Sequence, residues 1–212
     1  MDTGRFSSKH RRGFTLIELL IVVLVVSITL TAAISFFSHQ ARSMRIENAH
    51  RAAQMTARGA LNFIVRQLEH VGRSPNLAFT AAAPAIQEAE AGRLHYLTNL
   101  SEDWADTDTS DSWEDVTFEY DAGAGAVMFS DGGNTYALTD DTASPKSYVP
   151  ANGLAFTYFD KDGNIVAPGG NAAARASIRR INVSITVRGV VPDGYPEPEV
   201  TLSQDVFLRN VS

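Results

Sequence analysis

Cysteine is absent from all 212 residues, which excludes a disulfide framework, a thiolate metal site and a cysteine nucleophile. Catalytic signatures are missing too. There is no G-x-S-x-G, no H-E-x-x-H and no P-loop, and Gly123-Ala124-Gly125 lacks a third glycine and a following helix. His95 is the only histidine after residue 73, so that region offers no second imidazole for a triad or a zinc site. The chain therefore reads as a building block, not an enzyme, with no cofactor expected. It also lacks a basic excess. With 18 Lys and Arg against 24 Asp and Glu, a net charge of −6, bulk attraction to nucleic acid is not expected. Hydrophobic residues at 44% and charged residues at 20% exclude both a disordered chain and a fully membrane-embedded one.

What is present is unevenly placed. Residues 1–13 carry Arg5, Lys9, Arg11 and Arg12 against Asp2, a net of +3. Residues 14–37 hold one charge, Glu18. Residues 38–73 hold six Arg against Glu47 and Glu69, a net of +4, and residues 74–212 hold eight basic and twenty acidic groups, a net of −12. Four segments follow: a basic leader, an apolar segment, an amphipathic segment and an acidic head.

The apolar segment, FTLIELLIVVLVVSITLTAAISFF, has 24 residues and neither Pro nor Gly. As a helix it spans about 36 Å, enough for a bilayer core of about 30 Å. The basic leader sets the N-terminus in the cytoplasm and everything after residue 37 on the far side. A cleaved secretory signal would show a shorter apolar region and then a small-residue cleavage site. Here the apolar run continues through Ile34, Phe36 and Phe37, and a glycine stands instead at the border with the leader.

That border, residues 13–23, reads GFTLIELLIVV. Glu18 needs a reason, because a carboxylate within a spanning helix costs about 2.5–3.5 kcal/mol on insertion scales. The segment resembles the type IV prepilin family, which includes pilins and type II secretion pseudopilins. The resemblance implies cleavage between Gly13 and Phe14 by a prepilin peptidase, N-methylation of Phe14, and a role for Glu18 in assembly. Glycine before that cut would leave the backbone extended and unhindered for a protease at the membrane face. After it, a free α-amino group, its own or a neighbour's, would pair with Glu18 and fix axial register between subunits.

From Ser38 to Val71 there is no Pro and a single glycine, Gly59. Ala53, Ala57, Leu61, Ile64, Leu68 and Val71 recur with helical period. Arg51, Arg58, Arg66 and Arg73 share another face, and Glu47–Arg51 and Glu69–Arg73 are spaced as i,i+4 pairs. One helix is expected from Phe14 to about Gly72, where Gly72 and Pro75 stop it; those 59 residues would extend about 88 Å. The stretch ALNFIVRQLEHVGRSPN, residues 60–76, resembles the end of this helix in PilW-like minor pilins, although Val71-Gly72-Arg73 stands where Ala-Gly-Tyr is usual.

Residues 74–91 are Ala-rich and are expected to form an irregular connection with a short helix. Alternating runs then read as strands at 115–121, 125–130, 134–139, 154–159, 177–188 and 199–209, with DKDGN (160–164) a hairpin turn. Six or seven antiparallel strands covered by one amphipathic helix make an α+β architecture, in agreement with the pilin fold implied by the resemblance. The expected organisation is residues 1–13 as a cleaved cytoplasmic leader, 14–37 as the transmembrane half of the helix, 38–73 as its amphipathic half, and 74–212 as a periplasmic or extracellular β-rich head.

Asp160, Asp162 and Asn164 match the first half of a calcium loop, D-x-D-x-N, but Ile165 and Asn171 stand where an EF-hand needs Gly and Glu. The acidic stretch 102–115, with Trp104 and Trp113 inside it, is the other place where calcium is conceivable. Solvated turn and loop are the expectation for both. Arg175, Arg179, Arg180 and Arg188 form the head's one basic cluster.

The resemblance implies a minor pilin of the PilW-like kind, priming assembly or forming part of a tip complex. Its implied partners are the peptidase, other minor pilins and the major pilin through the N-terminal helix, and the inner-membrane assembly platform. It would lie in the bacterial inner membrane and then in a cell-surface pilus serving adhesion or twitching motility. Two other readings stand beside it: a J-type pseudopilin of a type II secretion system, and an adhesin or DNA-binding tip module.

Overall fold

The computed structural model describes residues 14–74, 79–80, 82–100, 109, 113–139, 146–167, 169–191 and 195–211. The chain divides into two compact units, Met1–Met44 and Arg45–Ser212. Helix α1 (Leu16–Leu68, 53 residues) supplies the described residues of the first from Leu16 onward and opens the second.

From Leu16 to Phe37 the helix is apolar on every side and almost wholly exposed; Leu16, Leu20, Leu24, Ile28 and Ile34 each show more than half of their surface. It is long and apolar enough, by length and composition, to cross a membrane. Several of its hydroxyls bond back to the helix. Ser27 donates to Val23 O at 2.7 Å and Thr31 to Ser27 O at 2.8 Å, so no bare donor faces lipid from these positions.

In the second unit the same helix becomes one-sided. Burial begins at Ala49 and recurs at Ala53, Ala57, Ala60, Leu61, Ile64 and Leu68, the helical period expected of a core face. The alanines permit a close approach: a Cβ on Gly189 would run into the backbone of Ala49. The helix ends at Leu68, earlier than the expected Gly72. Val71 N donates to Leu68 O and His70 N to Gln67 O, a tightened last turn, and Gly72 follows with φ +69, the left-handed stop that glycine supplies. Arg73 and Glu69 thus lie beyond the helix, whereas Glu47–Arg51 closes inside it at 3.0 Å.

Ten strands follow: β1 (Ile86–Ala89), β2 (Arg93–Leu97), β3 (Asp115–Asp121), β4 (Ala126–Ser130), β5 (Thr135–Ala137), β6 (Ser147–Tyr148), β7 (Leu154–Phe159), β8 (Ile165–Val166), β9 (Arg180–Gly189) and β10 (Glu199–Phe207). They form two antiparallel sheets, one ordered β1-β2-β3-β4-β5 and the other β10-β9-β7-β8, with β6 also paired to β9. A five-residue helix α2 (Ala172–Ala176) precedes β9, capped by the Asn171 side chain. The sheets are joined where Phe156 N donates to Ala91 O and the Tyr158 hydroxyl to Glu90 O, both at 2.8 Å. One core runs through the unit, combining Ile64 and Leu68 with Tyr96, Phe118 and Phe129 of the first sheet and Ile181, Val183 and Ile185 of the second. The architecture is α+β and pilin-like, with the long N-terminal helix packed with antiparallel sheet.

Two expectations change. The strands of the head number ten among the described residues, not six or seven, and the helix expected within 74–91 is replaced by β1, which pairs with β2. Leu94 and Tyr96 of β2 are fully buried while His95 between them is not, the period-two signature of a strand.

Candidate processing and assembly site

Gly13 and the leader lie outside the described residues, so the site is described from Phe14 onward. Phe14 and Thr15 precede the helix, and the Phe14 ring is 80% exposed. Helix α1 starts at Leu16 because Thr15 caps it: Glu18 N donates to Thr15 Oγ1 at 3.3 Å, and Thr15 N donates to Glu18 Oε2 at 3.5 Å. This reciprocal pair is a capping box, in which two orphan donors of the first turn are satisfied together. Glu18 also places its negative charge in the first turn, where the helix dipole favours it. The T-x-x-E spacing of residues 15–18 was open to sequence reasoning, which accounted for Glu18 by its charge alone. Thr15 is the residue that reading missed.

The Asp160 turn is built from within. Asp160 Oδ1 accepts from Asp162 N and Asn164 N, each at 2.9 Å, and Asp160 Oδ2 accepts from Asn164 Nδ2 at 3.0 Å. These donors, Asn164 first, hold the carboxyl of Asp160 below its ordinary range. Asp160, Asp162 and Asn164 are therefore brought together as the turn of the β7–β8 hairpin, with Asp160 as its acceptor. Among the described residues no group of three or more His, Cys, Asp or Glu side chains is arranged to hold a metal.

Most of the acidic stretch 102–115, Trp104 included, lies outside the described residues. Its end is structural. Glu114 is buried and its Oε1 accepts from Leu100 N at 2.7 Å. Asp115 Oδ1 meets His95 Nε2 at 2.7 Å. Trp113 packs against Phe129 in a tilted pair, with ring centroids 5.2 Å apart, although its φ is +74.

The head's arginine cluster is spent on internal bonds. Arg175 donates to Ile86 O, Arg179 to Ala176 O and Ile178 O, Arg180 to Asp205 Oδ2 at 2.8 Å, and Arg188 to Glu199 Oε2 at 2.7 Å. The guanidinium of Arg180 also lies 3.9 Å over the Phe159 ring. The β9–β10 register explains the two acidic pairs, for Arg188 stands opposite Glu199, and Asn182, opposite Asp205, shares that carboxylate with Arg180. Asn182 first, then Arg180, keeps the Asp205 carboxyl below its ordinary value.

Compared with known families, residues 8–34 match the prokaryotic N-terminal methylation motif. The match spans the end of the leader, the Gly13–Phe14 border, the capping box and the apolar helix. The motif supports a type IV prepilin-like protein. No curated protein and no solved structure matches the chain. The prepilin motif implies processing by a prepilin peptidase and association with a membrane, and the exposed apolar helix of residues 16–37 fits inner-membrane anchoring.

Proposed function

We propose that this type IV pilin-like or pseudopilin subunit is a PilW-like minor pilin, cut between Gly13 and Phe14, N-methylated on Phe14, and then inserted into a filament where it primes assembly or occupies the tip. The observation that carries the reading is the coincidence of the methylation motif at residues 8–34 with an apolar helix whose side chains are almost all exposed. A helix with no partner on any side needs lipid first and neighbouring helices afterwards. In this reading Glu18 pairs with the freed α-amino group of a subunit, and the head is structural, with no reaction of its own. The capping box supports the same sequence of events, because it starts the helix at Leu16 and keeps Phe14 outside it.

The alternative of a J-type pseudopilin shares all of these features. The DNA-binding alternative is disfavoured by the pairing of Arg180 and Arg188 with carboxylates, since phosphate contacts rely on uncompensated Lys and Arg. The test is recovery of the tagged full chain from its own bacterium. A minor pilin appears in sheared pilus filaments at a small fraction of the major subunit, and its deletion reduces filament number. Normal filaments in the deletion strain, together with loss of protein secretion, would transfer the chain to the secretion system.

A further inference from the structure

A hollow of about 490 Å³ lies between the end of α1 and strand β10. On one side stand Glu69, His70 and Arg73. On the other stand Gln204, Asp205, Val206 and Phe207 in succession. Successive strand residues point to opposite faces, so a hollow lined by four in a row is lined by the strand's edge. That edge is the outer one. In its sheet β10 is terminal, paired with β9 along all nine residues on one side and with no strand on the other among the described residues. An edge of this kind presents backbone N–H and C=O groups ready for another chain.

The chemistry of the walls narrows the occupant. Arg73 and Arg209 are the cationic groups at the groove, against Glu69 and Asp205. The charge of Asp205 is already met by Arg180 at 2.8 Å and by Asn182 at 2.8 Å, which leaves the balance of the groove basic. Phe207 leaves 68% of its surface exposed there, an apolar anchor for a facing side chain.

We propose that this groove is a docking site for an extended, carboxylate-bearing segment of a neighbouring protein subunit, which adds to β10 as a further strand and meets Arg73 and Arg209 with its acidic side chains. The site deepens the filament reading by naming a surface through which the head takes a neighbour. It stands on residues of the second unit alone.

The test uses the purified full chain, leader included, in detergent micelles. The probe is a fluorescein-labelled peptide of alternating Glu and Val, with its Lys counterpart and a Glu form N-methylated at alternate backbone amides. Anisotropy is expected to show saturable binding of the Glu peptide, about tenfold weaker binding of the Lys peptide, and no binding of the N-methylated form. The double variant Arg73→Glu, Arg209→Glu changes two exposed side chains, and its circular dichroism is expected to match the parent's. In it the preference should reverse toward the Lys peptide. Absence of saturable binding overturns the proposal, as does binding indifferent to N-methylation or unchanged in the double variant. Peptide binding requires neither cleavage nor assembly, so its failure would remove the groove and leave the filament reading standing.

Discussion

Glu18 has a role in the structure and a second in the proposed assembly, and single substitutions separate them. As the third helical residue it caps the helix start with Thr15, and in the proposal it offers a charge to a neighbouring amine. Gln keeps the first role and loses the second, because Gln serves equally in a capping box. Glu18→Gln is therefore expected to be cleaved normally and yet to enter filaments as poorly as Glu18→Ala, measured by the fraction of subunit in sheared pili. Recovery of assembly in the Gln variant would assign Glu18 to capping alone. Thr15→Val removes the other half of the box and is expected to cost about 1 kcal/mol of local helix stability, seen as faster amide exchange in residues 16–19. Elsewhere, Gly189→Ala sets a Cβ against the Ala49 backbone and is expected to lower stability by more than about 2 kcal/mol, read as a shifted urea midpoint. Asp160 sets a pH dependence whose sign is fixed by its lowered value: the turn is fully stabilised above the ordinary Asp value of 3.8 and weakens as pH falls through the lower folded one. Protection of the Asp162 and Asn164 amides, relative to their intrinsic exchange, is expected to fall below that range, and Asp160→Ala should show the lowered protection at every pH.

At the scale of elements, legibility follows length and period. Strand β3 falls where Val116 and Phe118 alternate with Thr117 and Glu119, and β7 and β10 start at their expected residues, because five or more alternating residues make the period visible. Strands β6 and β8 have two residues each and α2 has five, too few for any period to register. Strand β1 was obscured by its Ala-rich surroundings, and it holds its place through pairing with β2, a non-local cause that no local pattern contains. The end of α1 depended on similar context. Gly72 was the correct stop signal, yet the regular hydrogen bonding lapses at Leu68 because Gly72 N turns to Leu97 O at 3.3 Å. The helix is locked to the first sheet by the Tyr96 hydroxyl, which donates to Gln67 O at 3.0 Å, and burial pushes the Tyr96 phenol well above its ordinary value. Tyr96→Phe removes that bond, leaving Gln67 O with His70 N alone, and is expected to cost about 1 kcal/mol, measured by denaturant unfolding of the full chain.

At the scale of the whole molecule, the charge partition read from the sequence acquires a structural meaning. The leader holds +3, so its removal takes the chain from −6 to −9 and leaves acid concentrated in the head. The boundary between the units, at Arg45, falls within the segment read as the amphipathic half of the helix. There the side chains change from exposed apolar to one-sided at Ala49. Absence of cysteine is met by a core shared between α1 and two sheets, which gives the head its stability without a covalent staple. The candidate site was legible in the sequence because it is a contiguous motif. The groove beside β10 was not, because it exists only once residues 69–73 and 204–210 are brought together.

The central claim is that the chain is a prepilin-like subunit cut at one bond. Its most direct measurement is intact-mass and N-terminal fragment analysis of the full chain, expressed in membranes with and without a prepilin peptidase. The account predicts a product that begins at Phe14 and carries one methyl group on its α-nitrogen, seen only when the peptidase is present. A chain that keeps residues 1–13 in its presence, or one cut at another bond, would contradict it.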